Sequence, residues 1–347
     1  MKQFLLAAFL LVIYSDTTVE QKKYQIRTVA FYNLENLFDP FDDPNINDEA
    51  SPIMGIKENR IEVYQKKIQN MAKVIADIGK DKSKNAPVII GVAEVENYKV
   101  LEDLIQTEVL ANKNYRIVHY DSPDLRGIDV ALLYQQDYFN PIYHENFELK
   151  LWDTQGRRIY TRDQLLVSGY LDNELVHIIV NHWPSRRGGE EKSRHKREKA
   201  AFLSTQIIHN IRLNSKNAKI ILMGDLNDDP INTSLKEVLK AQPKKETLQP
   251  GELYNPMEEM FKRGQNTLVY RDNINLFDQI LVTESLITTK KQYDTYKLFR
   301  AAVFKAPYLT TKTGKYKGYP FRSFSNSGFT GGYSDHYPVY LHLIKEL

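Results

Sequence analysis

Apolar residues along this chain fall into short unbroken runs separated by stretches of helical period. Residues 27–32, 88–93, 129–134, 175–180, 219–223, 279–282 and 337–343 read as strands. Several are continuous apolar runs bounded by turn residues, the pattern of strands covered on both sheet faces. Between residues 57 and 78, Ile61, Tyr64, Ile68, Met71, Ile75 and Ile78 recur at three- or four-residue steps and predict an amphipathic helix. Val100, Leu101, Leu104, Ile105 and Val109 repeat the pattern, and Ala200, Leu203, Ile207 and Ile211 form one stripe within 197–211. A short helix is expected over 233–239, after the Asp229-Pro230 turn. Strands and helices alternate through two similar halves. The architecture predicted is α/β: a four-layer α/β/β/α sandwich, two mixed sheets packed face to face with helices outside. No repeat or Pro/Gly/Ser linker interrupts the chain, so a single domain is expected over 25–347.

The first residues break the pattern. Met1-Lys2 is a short basic start, Leu5 to Tyr14 is almost wholly apolar, and a polar run opens at Ser15. That stretch is too short to span a bilayer, so residues 1–20 read as a secretory signal peptide and the protein as secreted or periplasmic. The absence of cysteine excludes disulfides, thiolate catalysis and Cys-ligated metals.

Formal net charge is only +3, too small for strong global steering of a polyanion. The basic residues are nonetheless clustered. Arg186, Arg187, Lys192, Arg194, Lys196, Arg197 and Lys199 fall within 186–199, against three glutamates. No acid occurs from Thr295 to Ser334, where lysines and arginines alternate with Tyr and Phe. Basic loops with interleaved aromatics suit a phosphate backbone; a solvated basic face is the plain alternative.

Candidate chemistry sits at strand ends. In the segment Gly91-Val92-Ala93-Glu94, the acid Glu94 follows a buried run directly and can ligate a metal at the sheet rim; a solvated loop acid is the alternative. Asp225 and Asn227 in Gly224-Asp225-Leu226-Asn227 are two apart, so on an extended chain they reach one spot with two oxygen ligands. Asp228 and Asp229 read as a turn. Asn181-His182 precedes Trp183-Pro184 and the arginine-rich loop, whereas His177 lies inside its strand and reads as structural. Asp278 either caps its strand or orients the imidazole of His336. Asp335-His336 offers a hard oxygen ligand beside a group that titrates near neutrality. Asn33, Glu35 and Asn36 end the first strand, where turn chemistry competes with function.

Taken in order, Asn33, Glu94, Asn181-His182, Gly224-Asp225-Leu226-Asn227, Phe277-Asp278-Gln279-Ile280 and Ser334-Asp335-His336-Tyr337-Pro338-Val339 resemble the endonuclease/exonuclease/phosphatase superfamily, the deoxyribonuclease I-like fold. The resemblance spans residues 33–339 and implies the four-layer sandwich. It implies a metal-dependent phosphodiesterase, with Mg²⁺ as cofactor (Mn²⁺ or Ca²⁺ as substitutes) held by Glu94, Asp335 and Asn33. It implies that Asp225 and Asn227 hold the scissile phosphate and water, that Asp278 and His336 form a dyad, and that His182 is the general acid. Asn33, Arg126 and Asn181 are implied phosphate contacts. The resemblance also implies an acid supporting His182 from the strand at 129–134, where Asp129 stands nearest. The substrate expected is nucleic acid, DNA before RNA, cut by a monomer with no obligate protein partner. A phospholipid or small phosphate ester, in the manner of sphingomyelinases or inositol phosphatases, is the alternative, with Phe321-Arg322-Ser323-Phe324 as its one apolar element. A non-catalytic binding module is a remote third.

Overall fold

The computed structural model describes residues 22–288 and 290–347; the apolar start read as a signal peptide lies outside them. The strands are β1 (Tyr24–Leu37), β2 (Ile89–Val95), β3 (Tyr115–His119), β4 (Asp129–Gln135), β5 (Phe139–Phe147), β6 (Gln164–Leu171) and β7 (Glu174–His182). They continue with β8 (Lys219–Asp225), β9 (Ala241–Gln242), β10 (Leu253–Tyr254), β11 (Asp278–Thr283), β12 (Lys297–Val303) and β13 (Val339–Glu346). One sheet has the order β12-β13-β1-β2-β4-β3 and the other β9-β10-β11-β8-β7-β6-β5. Each is mixed: β1 runs parallel to β2, and β7 parallel to β8, while their other neighbours are antiparallel.

The two sheets pack face to face. Val29 and Phe31 of β1 share a core with Ile178 and Val180 of β7, Ile221 and Met223 of β8, and Ile280 and Val282 of β11. Alternation along each strand sends the intervening residues to the outer faces, which the helices cover. Helix α1 (Arg60–Asp77) lays Ile68, Met71 and Ile75 on the first sheet, and α2 (Tyr98–Ile105) adds Val100, Leu101 and Leu104. The side chain of Asn97 caps α2 by accepting from Val100 N at 3.0 Å, satisfying one of the orphan donors of the first turn. On the second sheet α3 (Glu190–Asn214) buries Ala200, Ile207 and Ile211 against Ile179, Ile220 and Leu222. The helix expected over 233–239 is a five-residue π-type turn, Ser234–Val238. Among the described residues no helix is long and apolar enough to cross a membrane.

Candidate active site

The inter-sheet core ends in acids and imidazoles. Each inner-facing column continues one step past its last apolar residue: Val29, Phe31, then Asn33; Ile178, Val180, then His182; Ile221, Met223, then Asp225. Asp278 stands in the same relation to Ile280 and Val282 at the start of β11. The period of two that builds the core therefore aims these polar groups into the cleft at one end of the sheets.

Their geometry follows. His182 Nε2 lies 3.6 Å from Asp225 Oδ2 and 3.9 Å from Glu94 Oε1. His336 Nε2 lies 3.9 Å from Asp225 Oδ2, and its Nδ1 is 2.7 Å from Asp278 Oδ2. The amide nitrogen of Asn33 donates to Glu94 at 3.2 Å and to Asp225 at 3.1 Å, and Asn36 N donates to Glu94 Oε2 at 2.9 Å. Asp335 Oδ1 is 3.9 Å from His336 Nε2, while its Oδ2 accepts from Arg322, whose Nε reaches Glu35 at 3.2 Å. Ser334 Oγ donates to Asn33 O and accepts from His336 N, tying this last segment to β1.

The backbone is shaped for the site. Glu35, Asn36, Glu94 and Asn227 all adopt positive φ, between 48° and 59°, a region that side chains other than glycine disfavour. At Glu94 this turn breaks the β2 ladder between Ala93 and Val95 and frees the carboxylate to face the cleft. Gly224 lets β7 approach β8: a Cβ there would sit 2.3 Å from the carbonyl oxygen of Asn181.

Burial and charge set the protonation states. Burial, opposed by the His336 charge and reinforced by Asp278 and Glu94, pushes the Asp225 carboxyl up to about 7. Burial alone would lower His336, but the Asp278 carboxylate outweighs it and holds the imidazole well above its ordinary value. His182 goes the other way, lowered well below its ordinary value by burial and then by Arg162, Arg126 and His336. One imidazole is thus held charged and the other neutral across a single cleft.

The donor set fits a divalent cation. Glu94, Asp225 and His182 offer two carboxylate oxygens and an imidazole nitrogen within 4.8 Å of one another.

Several expectations need correction. Asn181 is not at the cleft: it occupies an outer-face position, fully buried, where its amide bonds Ile179 O, Met223 O, Trp183 Nε1 and Ser204 Oγ. Asn33 is present at the cleft: its Oδ1 accepts from Glu35 N, which leaves one lone pair free, and its amide nitrogen fixes the two acids. Asp129 does not support His182. Its carboxylate holds His119 Nε2 at 3.0 Å and Ser122 N at 2.8 Å, and His182 Nδ1 is buried with no hydrogen-bond partner. Asn227 lies beyond the strand end, so the two-residue rule does not apply to it. Its N–H donates to Asp225 Oδ1, and its amide bonds Trp183 O beside His182. Arg126 is exposed and leans on Asp124, which also accepts from the buried Arg162. Sequence reasoning missed Arg162; its own hydrogen bond to Trp183 O places it against His182's neighbour.

Three cations of the arginine-rich segment are spent internally, Arg194 on Glu190 among them, while Arg187, Lys192 and Lys199 stay exposed. Arg197 and Asp228 form a fully buried pair at 2.6 Å, and Arg186 binds Asp228, Asp229 and Asn232. Asp228 and Asp229 are therefore structural anchors, more than turn residues.

Two sheets that meet in a cleft of acids, two differently charged imidazoles and a buried arginine define a metal-dependent hydrolase of phosphoric ester bonds. A family model described as "Endonuclease/Exonuclease/phosphatase family" matches residues 28–345, and the chain belongs to that family. No curated protein matches the sequence. Among solved structures, a humanized TDP2 of D. rerio is similar at 12% identity with a TM-score of 0.53, over 92% of this chain and 98% of the other. The mannosyl-6-phosphatase Bt3783 of Bacteroides thetaiotaomicron is similar at 18% identity and 0.53, over 91% and 99%. D. rerio TDP2 complexed with single-strand DNA product gives 12% and 0.50, over 92% and 98%. At these identities the likeness is one of fold.

Proposed function

We propose that this enzyme cuts phosphodiester bonds of nucleic acid, DNA before RNA, and acts outside the cytoplasm after loss of its apolar start. The observation that carries the chemistry is the convergence of Glu94 and Asp225 with a charged His336 and a neutral His182. Glu94, with Asp335 beside the cleft, would hold a divalent cation, which would supply Lewis-acid neutralisation of phosphate oxygens. The protein does the rest. His336, charged and fixed by Asp278, offers its Nε2 proton to a non-bridging oxygen as negative charge builds there. Asp225, facing both imidazoles, would orient the attacking water and take its proton. His182 is kept neutral in the free protein by burial and then by Arg162, Arg126 and His336; an incoming phosphate would offset those charges, so the ring could take up a proton from solvent and pass it to the leaving oxygen.

The nucleic-acid reading is supported by the surface beside His336. The hairpin of Leu268–Tyr270 and Asn273–Asn275 joins that residue through a bridge between Leu268 and His336. The hairpin exposes Tyr270 and Arg271, and the adjoining loop, linked through Tyr319 and Asp272, exposes Lys312, Lys315, Tyr316 and Lys317. Exposed rings interleaved with cations suit a single strand whose bases stack while its phosphates are neutralised. The test is cleavage of single- and double-stranded oligonucleotides with Mg²⁺ and with EDTA. Metal-dependent cutting lost in His336→Ala is expected; intact oligonucleotides under Mg²⁺, Mn²⁺ and Ca²⁺ refute the substrate.

One observation favours a second reading, a small phosphate monoester. The guanidiniums of Arg126 and Arg322 are exposed; the charge of Arg126 acts on His182 and that of Arg322, aligned by Glu35 and Asp335, on Glu94, and two such groups suit a terminal phosphate dianion. Release of inorganic phosphate from sugar phosphates, with DNA left intact, would establish it. The lipid alternative loses its apolar element: Phe324 is buried in the core and Phe321 packs edge-on against Tyr333.

A further inference from the structure

The loop that follows β1 carries a second constellation of oxygen donors that the catalytic reading leaves unused. Asp42, Asp48 and Glu49 each offer a carboxylate oxygen within 4.8 Å of the other two. That span is what oxygens on one coordination shell show when each lies about 2.4 Å from a shared centre. Asp42 and Glu49 are exposed, whereas Asp48 is 1% exposed. A buried carboxylate is costly unless it is paired, and Asp48 is only half satisfied. Its Oδ2 accepts from Asp43 N at 2.9 Å, but its Oδ1 is buried with no hydrogen-bond partner. In the same turn Ser51 Oγ is also buried and without a partner. Among the described residues none of Asp42, Asp43, Asp48 and Glu49 takes part in an ion pair, although ion pairs occur on most other faces of the molecule. An oxygen-only donor set with an orphaned buried carboxylate and no protein cation is incomplete as it stands.

We propose that Asp42, Asp48 and Glu49 form a Ca²⁺ site, separate from the catalytic centre, that fixes the loop between β1 and α1. An all-carboxylate donor set on a loop suits Ca²⁺, which accepts six to eight oxygens in flexible geometry; Mg²⁺ demands near-octahedral geometry and is seldom held by protein ligands alone. The loop is tied to the rim at two points. Asn47 N donates to Leu125 O at 2.9 Å, and Ile46 packs under Gly127, where a Cβ would meet its Cδ1 at 2.3 Å. Between those two contacts lies Arg126, the exposed guanidinium of the cleft. Asp39 N donates to Glu96 Oε2 at 2.7 Å, which connects the loop to the strand end bearing Glu94. Ca²⁺ bound here holds Arg126's loop in place without touching substrate.

The experiment uses the mature chain stripped with EDTA and then returned to metal-free buffer. Titration with CaCl₂ by calorimetry, melting curves with and without Ca²⁺, and limited proteolysis of the loop are measured in four proteins. These are wild type, Glu94→Gln, Asp48→Asn, and the double variant Asp42→Asn/Glu49→Gln, whose changes are exposed and leave the core alone. The proposal expects Ca²⁺ to raise the melting temperature and protect residues 39–56 from cleavage in wild type and in Glu94→Gln. It expects affinity to fall at least about tenfold in Asp48→Asn and in the double variant, since each carboxylate removed weakens a hard-cation site. Wild-type binding in the double variant overturns it. So does loss of all Ca²⁺ binding in Glu94→Gln, which would place the ion in the catalytic cleft, and so does unchanged proteolysis of the wild-type loop. None of these readouts depends on which phosphoester is cut.

Discussion

The imidazole of His336 meets the carboxylate of Asp278 at 2.7 Å, from Nδ1 to Oδ2, with both side chains buried between the sheets. This contact fixes the ring so that Nε2 faces Asp225, and it keeps the ring charged. Asp278→Asn is expected to lower kcat by about 10²–10⁴-fold, the usual worth of a positioned proton-transfer group, with a smaller change in KM. Steady-state kinetics on a cleavable oligonucleotide or phosphate ester measures this. The same pair contributes stability with a defined sign. A histidine raised in the folded state stabilises fully below its unfolded value of about 6.5, and that contribution is lost as pH rises through the folded value. The melting-temperature deficit of Asp278→Asn should therefore be largest near pH 6 and shrink on the alkaline side.

Glu94 combines a functional carboxylate with a disfavoured backbone at φ 59°. Such strain costs about 1–3 kcal/mol, and glycine's extra unfolded-state entropy returns roughly 0.5–1 kcal/mol of any relief. Glu94→Gly also loses the bonds its carboxylate accepts from Asn33 and Asn36 N, worth about 1.5–3 kcal/mol each, so metal-free stability is expected to be unchanged or lower while metal-dependent turnover is abolished. Differential scanning calorimetry alongside an Mg²⁺ titration of activity checks both halves.

Gly224→Ala tests how closely β7 and β8 must approach. The added methyl meets backbone, the Asn181 carbonyl at 2.3 Å, and so cannot be accommodated by turning a side chain. A cost of about 1–3 kcal/mol is expected from overpacking, together with displacement of Asp225 and loss of turnover even where the protein stays folded. Urea melts and kcat at a temperature where both proteins are native separate the two effects.

Arg197→Met removes one partner of a buried pair and leaves Asp228 leaning on the partly exposed Arg186. Breaking such a pair typically costs about 3–5 kcal/mol, and the contact from Arg186 moderates it. The variant should be measurably less stable in denaturant yet, where folded, keep its affinity for its phosphoester substrate, because Arg197 is wholly buried.

Asp163 is a buried acid raised to about 6, chiefly by burial, and its Oδ1 has no partner. A carboxyl raised in the folded state stabilises below its unfolded value of about 3.9 and loses that contribution as pH rises to about 6. Asp163→Asn is expected to be more stable than wild type at pH 7–8, with the advantage disappearing near pH 4, as thermal melts across that range would show.

The strands legible in the sequence have unbroken apolar runs, such as β2 and β8; β6, almost wholly buried, was not read because Gln164, Ser168 and Gly169 interrupt its run. The edge strand β5 was invisible because it is mostly exposed and contains Pro141, and β12 because it too lies at an edge and is only half-covered. Within the site, the alternation that builds the core could have separated His182 from Asn181: one continues the inner column and the other faces Ser204 of α3. The partners of Asp129 and Arg162 were not legible, since His119 reaches Asp129 only through the pairing of β3 with β4, and Arg162 is fixed by a loop carbonyl. Asp278 and His336, far apart along the chain, were joined by family resemblance; spacing alone left a strand cap as an equal reading.

Because the working residues are the last members of columns that fill the space between the sheets, turnover doubles as a gauge of how those sheets are aligned. A swollen intermediate that kept its helices and strands but let one layer slide past the other would look native by circular dichroism and be silent in an assay. Catalysis should fail earlier than secondary structure on heating, and selection for activity would, as a by-product, select for a rigid interior.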